Sequence, residues 1–249
     1  TIRLENMLVP SPTIHQEKSI KIDNINNKEQ AKKYILDNNI SYIKIGLFDL
    51  HGILRGKIIS KDKFFSILDN NGGFYDGILG SDIDDVLIPN MDFTGEHTGY
   101  PDAKIKIIPE SAKVIPWEPN SIFFLCQFED DAKKLCPRSL FQKILDKADN
   151  MGFAIKSGME FEFSVFKETS EQLRAKNFKN LTPLSEGNFG YSIRKNSAND
   201  QLCCDILESF KSMNIPLECL HTEIGQGMLE AALKVDSNIN CADNAALFK

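Results

Sequence analysis

Lys156-Ser157-Gly158-Met159-Glu160-Phe161-Glu162-Phe163-Ser164-Val165 alternates along its length. Met159, Phe161, Phe163 and Val165 share one parity, and Gly158, Glu160, Glu162 and Ser164 share the other. A period of two is the signature of a strand with one face buried. On the opposite face two carboxylates stand at i and i+2, neighbours on one pleated surface. Like charges at that spacing repel, so water, a Lys or Arg partner, or a cation must compensate them. For this strand alone all three remain open, a solvated face being the ordinary case.

Further along the chain, Glu218-Cys219-Leu220-His221-Thr222-Glu223-Ile224-Gly225-Gln226-Gly227-Met228-Leu229-Glu230-Ala231-Ala232-Leu233 holds three more carboxylates around a two-glycine turn. The glycines let the chain tighten where a side chain would clash. A hairpin here brings Glu223 near Glu230. Five carboxylates on adjacent strands would form a hard-oxygen site for Mg²⁺ or Mn²⁺.

Taken together, in this order and at this spacing, the two stretches resemble the glutamine synthetase family of ATP-dependent carboxylate–amine ligases. The Gly-x-Glu-x-Glu-Phe strand appears as Gly158 to Phe163, and the family's His-x-Glu, glycine turn and further Glu appear as His221 to Glu230. The resemblance runs from about residue 42 to 249. It implies an α+β chain: a small N-terminal β-grasp domain over 26–133, preceded by a loose arm at 1–25. The first half of a glutamine synthetase-type catalytic α/β domain, with a curved antiparallel sheet, would follow over 134–249.

The same resemblance implies roles. Glu162, Glu223 and Glu230 match ligands of the metal nearest glutamate, and Glu160 a ligand of the metal that bridges the phosphates of ATP. Glu218 matches a glutamate beside the nucleotide. His221 falls in the family's histidine run, though a packed strand histidine is the other reading. Tyr191, in Phe189-Gly190-Tyr191, matches a segment near nucleotide and substrate. Asp76, in Phe74-Tyr75-Asp76-Gly77, matches a loop aspartate that reaches a neighbouring subunit and helps bind and deprotonate ammonium. By itself an Asp-Gly is an ordinary turn. Asp84 matches the second loop aspartate, within a one-residue shift. The implied substrates are glutamate, ATP, and ammonia or an amine. The implied assembly is a homo-oligomer, a ring dodecamer, with sites shared between subunits. Met228 stands where the family has a glutamine. The family's later segments, which carry a Gly-x-x-His-x-His strand, arginines and a further metal glutamate, are not in this sequence. On this reading the 249 residues are a piece that does not catalyse alone.

Composition narrows the alternatives. With 42% apolar and 26% charged residues the chain is an ordinary globular one. Its net charge of −6, without a basic stripe, argues against a nucleic-acid partner. No apolar run approaches the ~18 residues of a membrane helix, and no basic-then-apolar leader is seen. Six cysteines without a paired C-x-x-C spacing give no zinc ribbon, and a cytoplasmic setting with reduced thiols is expected.

The remaining pattern predicts a helix over 27–38, a hairpin of strands 42–50 and 53–59, and a helix over 61–69. Arg55 and Lys57 read as charges guarding an exposed strand edge, or, with the resemblance, as family residues. Residues 72–77 read as a glycine-rich loop, and His97 as a surface histidine. Strands are expected over 103–109 and 121–128, and a helix opened by Pro137 over 137–150. Residues 169–190 read as an irregular insertion loop and 197–213 as one amphipathic helix. A strand is expected from 216, and a helix over 236–249.

Overall fold

The computed structural model describes residues 25–249 except 119. The arm expected over 1–25 lies outside the described residues, apart from Ile25. The described chain forms two compact units, residues 25–156 with Ser237–Phe248, and Ser157–Asp236.

The first unit opens with α1 (Lys28–Asp37). Asn27 caps it by accepting the Gln30 N–H, and Ala31 and Ile35, one turn apart, face inward. Strands β1 (Tyr42–Phe48) and β2 (Leu54–Ser60) pair antiparallel as the expected hairpin. Its turn is organised by Asp49, 2% exposed, which accepts the N–H groups of His51 and Ile53 and the Arg55 Nε at 2.9 Å. Arg55 also reaches Asp85 at 2.6 Å. β2 is an edge strand of the sheet, as the edge-guard reading of Arg55 requires, and Arg55 also supplies the cation that a buried carboxylate at the hairpin turn needs. Lys57 lies 4.7 Å from the centre of the Phe74 ring.

Ser60 caps α2 (Lys61–Asn70), which buries Phe64, Ile67 and Leu68 at i, i+3 and i+4. The stretch expected as a loop at 72–77 is instead β3 (Gly72–Tyr75) followed by a 3-10 turn, Asp76–Leu79. Glycine here serves close packing: a Cβ on Gly72 would meet Ile67 at 2.9 Å, and one on Gly73 would meet Asp102 at 2.7 Å. Strands β4 (Asp102–Ile107), the two-residue β5 (Lys113–Val114) and β6 (Ser121–Phe128) complete a six-stranded sheet. Its order is β2-β1-β6-β4-β3, with β5 also on β6. The β1–β6 pairing is parallel and the others antiparallel, so the sheet is mixed.

β6 is buried from Ile122 onward, as its near-continuous apolar run requires of a strand covered on both sides. Ile122, Phe124, Cys126 and Phe128 join the core under α1 and α2, with the Phe64 and Phe124 rings 4.8 Å apart. Phe123 and Leu125 pack with Phe48, Ile108 and, from the helix Asn240–Phe248, Ala246 and Leu247. α3 (Pro137–Asn150) begins at its proline as expected. Arg138 in its first turn donates from Nε and Nη2 to the two Asp243 oxygens, both at 2.9 Å, and from Nη1 to Gln127.

Lys113 on β5 is close to this pair. It is 8% exposed, and its Nζ donates to Asn244 Oδ1 at 3.3 Å. Burial lowers its ammonium from 10.5 to about 8, against the upward pull of Asp243. Between about 8 and 10.5 the unfolded chain holds a proton that the folded chain has released. Stability therefore rises with pH across that window, and the Lys113 penalty is fully present below it. The shift corresponds to about 3 kcal/mol. Urea unfolding from about pH 7.5 to about 10.5 should show this rise, reduced in Lys113→Met by the lysine's share. Parallel curves for the two proteins would contradict it.

The second unit is built on β7 (Glu160–Ser164), β8 (Leu217–Thr222) and β9 (Met228–Leu233), an antiparallel sheet ordered β7-β9-β8. Only five of the ten quoted residues form the strand proper. Ser157 adds an isolated bridge to Asp236, and the Val165 N–H donates to the Gly227 carbonyl at 2.9 Å. The irregular loop expected over 169–190 contains α4 (Ser170–Ala175), with a full capping box between Thr169 and Gln172. Glu168 fastens that segment, accepting from Lys176 Nζ at 2.6 Å and the Thr182 N–H at 2.7 Å. The Lys176 hydrogen bond draws its carboxyl down to about 2. The helix expected over 197–213 is α6 (Asp200–Ser212), preceded by a short helix outside that expectation, α5 (Ile193–Ala198). Asn199 separates them, its Nδ2 donating back to the Lys195 carbonyl, a local bond that competes with helix continuation. The last helix is shorter than expected, Asn240–Phe248.

Candidate functional site

Register decides which side chains meet. In the three-stranded sheet Glu162 pairs with Glu230, and Glu230 pairs with His221. The next row pairs Glu160 with Ala232 and Ala232 with Cys219. Alternation sends the intervening residues Phe161, Phe163, Leu229, Ala231, Leu220 and Thr222 to the other face. Leu229, Ala231 and Thr222 are buried there. One face of this small sheet is thus apolar, and the other carries Glu160, Glu162, Glu230 and His221 side by side.

Glu223 joins them from the turn after β8. Ligand atoms of His221, Glu223 and Glu230 all lie within 4.8 Å of one another. His221 stands between the two carboxylates, Nδ1 3.9 Å from Glu223 and Nε2 3.9 Å from Glu230. The turn depends on Gly227 (φ +68°), where a Cβ would sit 2.7 Å from the Val165 carbonyl oxygen and 2.8 Å from the Leu184 nitrogen. Tyr191 stacks on His221, ring centres 4.3 Å apart and 20° from parallel. Its backbone is fixed to β8: the Tyr191 N–H donates to the Thr222 carbonyl at 2.7 Å, and the Ser192 N–H to the Thr222 hydroxyl at 2.9 Å.

Electrostatics mark the cluster as undercompensated. Burial pushes the Glu230 carboxyl above its ordinary range; His221 pulls it down, and Glu160, Glu223 and Glu162 push it further up. The Tyr191 phenol is raised first by the charge of Glu223, then by burial and by Glu230 and Glu160. Among the described residues, none of these four glutamates has an ion pair with lysine or arginine; the recorded partner is His221. Carboxylates held together without basic partners, beside an imidazole, suit a divalent cation. The donor set therefore fits the metal that the resemblance implied, and His221, expected from the family's histidine run, stands among the possible ligands.

Glu218 is not brought into this group. It is the extra residue of a β-bulge between Leu217 and Cys219, exposed and outside the cluster. Asp76 and Asp84 belong to the first unit. Asp76 is 3% exposed, and its Oδ1 accepts the Thr94 hydroxyl at 2.8 Å. Asp84 is exposed, its N–H donating to Asp82 Oδ1 at 2.9 Å. His97 is exposed, its Nε2 3.2 Å from the Asp92 carbonyl. Thr94 carried no sequence signal, because nothing local ties it to a residue 18 positions away.

Comparison with known proteins bears on the same segments. Residues 134–249 match the family described as glutamine synthetase, catalytic domain. Over a wider span the chain is 40% identical over 211 residues to the type-1 glutamine synthetase 2 of Dictyostelium discoideum, covering 84% of this chain and 40% of that protein. It is 28% identical over 232 residues to a glutamate–isopropylamine ligase of a Pseudomonas species, covering 90% of this chain and 50% of the relative. A solved structure described as a GmaS/ADP complex superposes with a TM-score of 0.67 at 17% identity, over 88% of this chain and 47% of that one. This structural likeness establishes the mixed α/β fold. The chain spans about half the length of the curated relatives it matches. Among the described residues no helix is long and apolar enough to cross a membrane.

Proposed function

We propose that the protein carrying this chain is an ATP-dependent glutamate–amine ligase. In this reaction the γ-carboxylate of glutamate takes the terminal phosphoryl group of ATP, and ammonia or an amine then displaces phosphate from the γ-glutamyl phosphate. The observation that carries the reading is the convergence of His221, Glu223 and Glu230 within 4.8 Å, with Glu162 in register beside them. That convergence lies inside the family-matched span.

In this reading Glu160, Glu162, Glu223 and Glu230 hold Mg²⁺ or Mn²⁺, with His221 in reach. A divalent cation bound there supplies charge neutralisation for phosphoryl transfer. Tyr191, stacked on His221 beside the carboxylates, faces nucleotide or substrate. Asp76 takes a proton from the bound ammonium, since only the free amine is nucleophilic. Asp84 assists from the neighbouring loop, and Glu218 stands beside the nucleotide. The six-stranded sheet is the counterpart of the family's N-terminal β-grasp domain. The intact protein is a cytoplasmic homo-oligomer, a ring dodecamer in which Asp76 serves the adjoining subunit. A monomer with full activity in sedimentation would exclude that shared site.

Met228 in place of the family's glutamine, together with the likeness to an isopropylamine ligase, favours a substituted amine as the second reading. ADP release by the full-length protein, with glutamate and in turn ammonium, methylamine, isopropylamine and putrescine, tests both. Release that requires glutamate, an amine and a divalent cation is expected. Turnover with ammonium alone removes the substituted-amine reading. No turnover with any amine removes the ligase reading and leaves a non-catalytic relative.

A further inference from the structure

We infer that Thr94 is a positioning residue for Asp76, fixing the carboxylate that takes the proton from the incoming amine. This rests on the ligase reading above and on the role that reading gives Asp76. Both residues are 3% exposed, and the Thr94 hydroxyl donates to Asp76 Oδ1 at 2.8 Å. The Asp76 N–H donates to the Pro101 carbonyl at 3.3 Å, so backbone and side chain are each held by the segment 94–101.

Thr94 sits in a fitted niche and is followed by an ordered turn. A Cβ on residue 80 would lie 2.4 Å from the Thr94 methyl, so glycine at that position makes the niche in which the methyl sits. Thr98 closes the following turn. Its hydroxyl accepts the Gly95 and Tyr100 N–H groups at 3.2 and 3.3 Å and donates to the Gly95 carbonyl at 2.9 Å. Asp76, Phe93, Thr98, Lys104 and Glu129 line a cleft of about 270 Å³, room for a small amine.

The chemistry follows from what a hydroxyl donor does to a carboxylate. An unanchored carboxylate rotates and offers either oxygen in many directions. A single short hydrogen bond to Oδ1 fixes the plane of the group, so the second oxygen is pre-aimed. A neutral donor does this without the full charge cancellation of a lysine or arginine, which would weaken the carboxylate as a base. The N–H proton of the bound ammonium passes to Asp76. The nitrogen lone pair so released forms the C–N bond to the acyl carbon, the C–O bond to phosphate breaks with its electron pair going to phosphate, and phosphate takes up the second proton that the new amide nitrogen sheds.

The test is steady-state kinetics of the full-length protein with ammonium chloride or isopropylamine, whichever the wild type turns over. Thr94→Val removes the hydroxyl at nearly constant volume. It is expected to lower kcat/KM for the amine by roughly tenfold or more, with KM for ATP and glutamate unchanged. Thr94→Ser keeps the hydroxyl, loses the methyl, and should stay near wild type. If Thr94→Val does not fold, Thr94→Ala replaces it and the Ala–Ser contrast carries the same information. Equal amine kinetics in wild type and Thr94→Val overturn the role of Thr94 while leaving the ligase reading standing. So does a Thr94→Ser variant as impaired as the valine one, because packing would then be responsible. A wild type inactive with every amine overturns both.

Discussion

Replacing Glu223 and Glu230 together by glutamine is expected to abolish the thermal stabilisation by Mn²⁺ and to lower turnover by roughly 10³-fold or more. Glutamine preserves shape and removes charge, so the sheet should survive. Without metal the variant should even melt higher than wild type. Burial and the charges of Glu160, Glu223 and Glu162 all push the Glu230 carboxyl upward, which is the signature of a group whose ionised form is strained where it sits. Wild type, by contrast, should gain about 2.7 kcal/mol at a Mn²⁺ concentration ~100 times its dissociation constant. Differential scanning calorimetry with and without Mn²⁺ reads both effects. A double variant that keeps the wild-type Mn²⁺ response would show that these carboxylates are not ligands. The Glu160→Ala/Glu162→Ala double variant probes the adjoining strand in the same way.

The second large effect concerns stability. Asp243→Ala should destabilise the fold by about 3–5 kcal/mol, because it leaves the Arg138 guanidinium without its carboxylate in a site from which water is largely excluded. The Arg138 and Asp243 side chains are only 13% and 11% exposed, and the pair is bidentate. Lys113 adds a second cation nearby, whose raising interaction with Asp243 would also be lost. Replacing the pair by Arg138→Met/Asp243→Leu should cost far less than the single change, since the guanidinium is then not stranded and the loss at Lys113 is common to both variants. Urea denaturation of wild type and the two variants decides it. A single variant no less stable than the double would mean that solvent reaches the site.

Local elements were legible where a local rule produces them. The helix at Pro137–Asn150 is found at its expected ends, because a proline-first turn is written into adjacent residues. Lys28–Asp37 lies between asparagine caps, and the β1–β2 hairpin has its glycine turn. The Thr169-to-Gln172 capping box is equally local but lies in a stretch whose polarity reads as loop. The strand at Gly72–Tyr75 was not legible, because its glycines read as loop until Ile67 and Asp102 are seen packed against them.

Of the candidate site, the sequence by itself determined the residue types and their faces: alternation alone puts Glu160 and Glu162 on one side of a strand. Only the tertiary structure decided which of them meet. Glu162, Glu230 and His221 align because the strand at 160–164 and the hairpin at 217–233, far apart in the chain, share one register. A one-residue slip would have turned any of them to the apolar face. The bulge that leaves Glu218 out, and the hydroxyl that Thr94 brings to Asp76, follow likewise from contacts between segments. Spacing along a chain constrains only its nearest turns, whereas a site is made by pairing and packing across long separations, which no local pattern encodes.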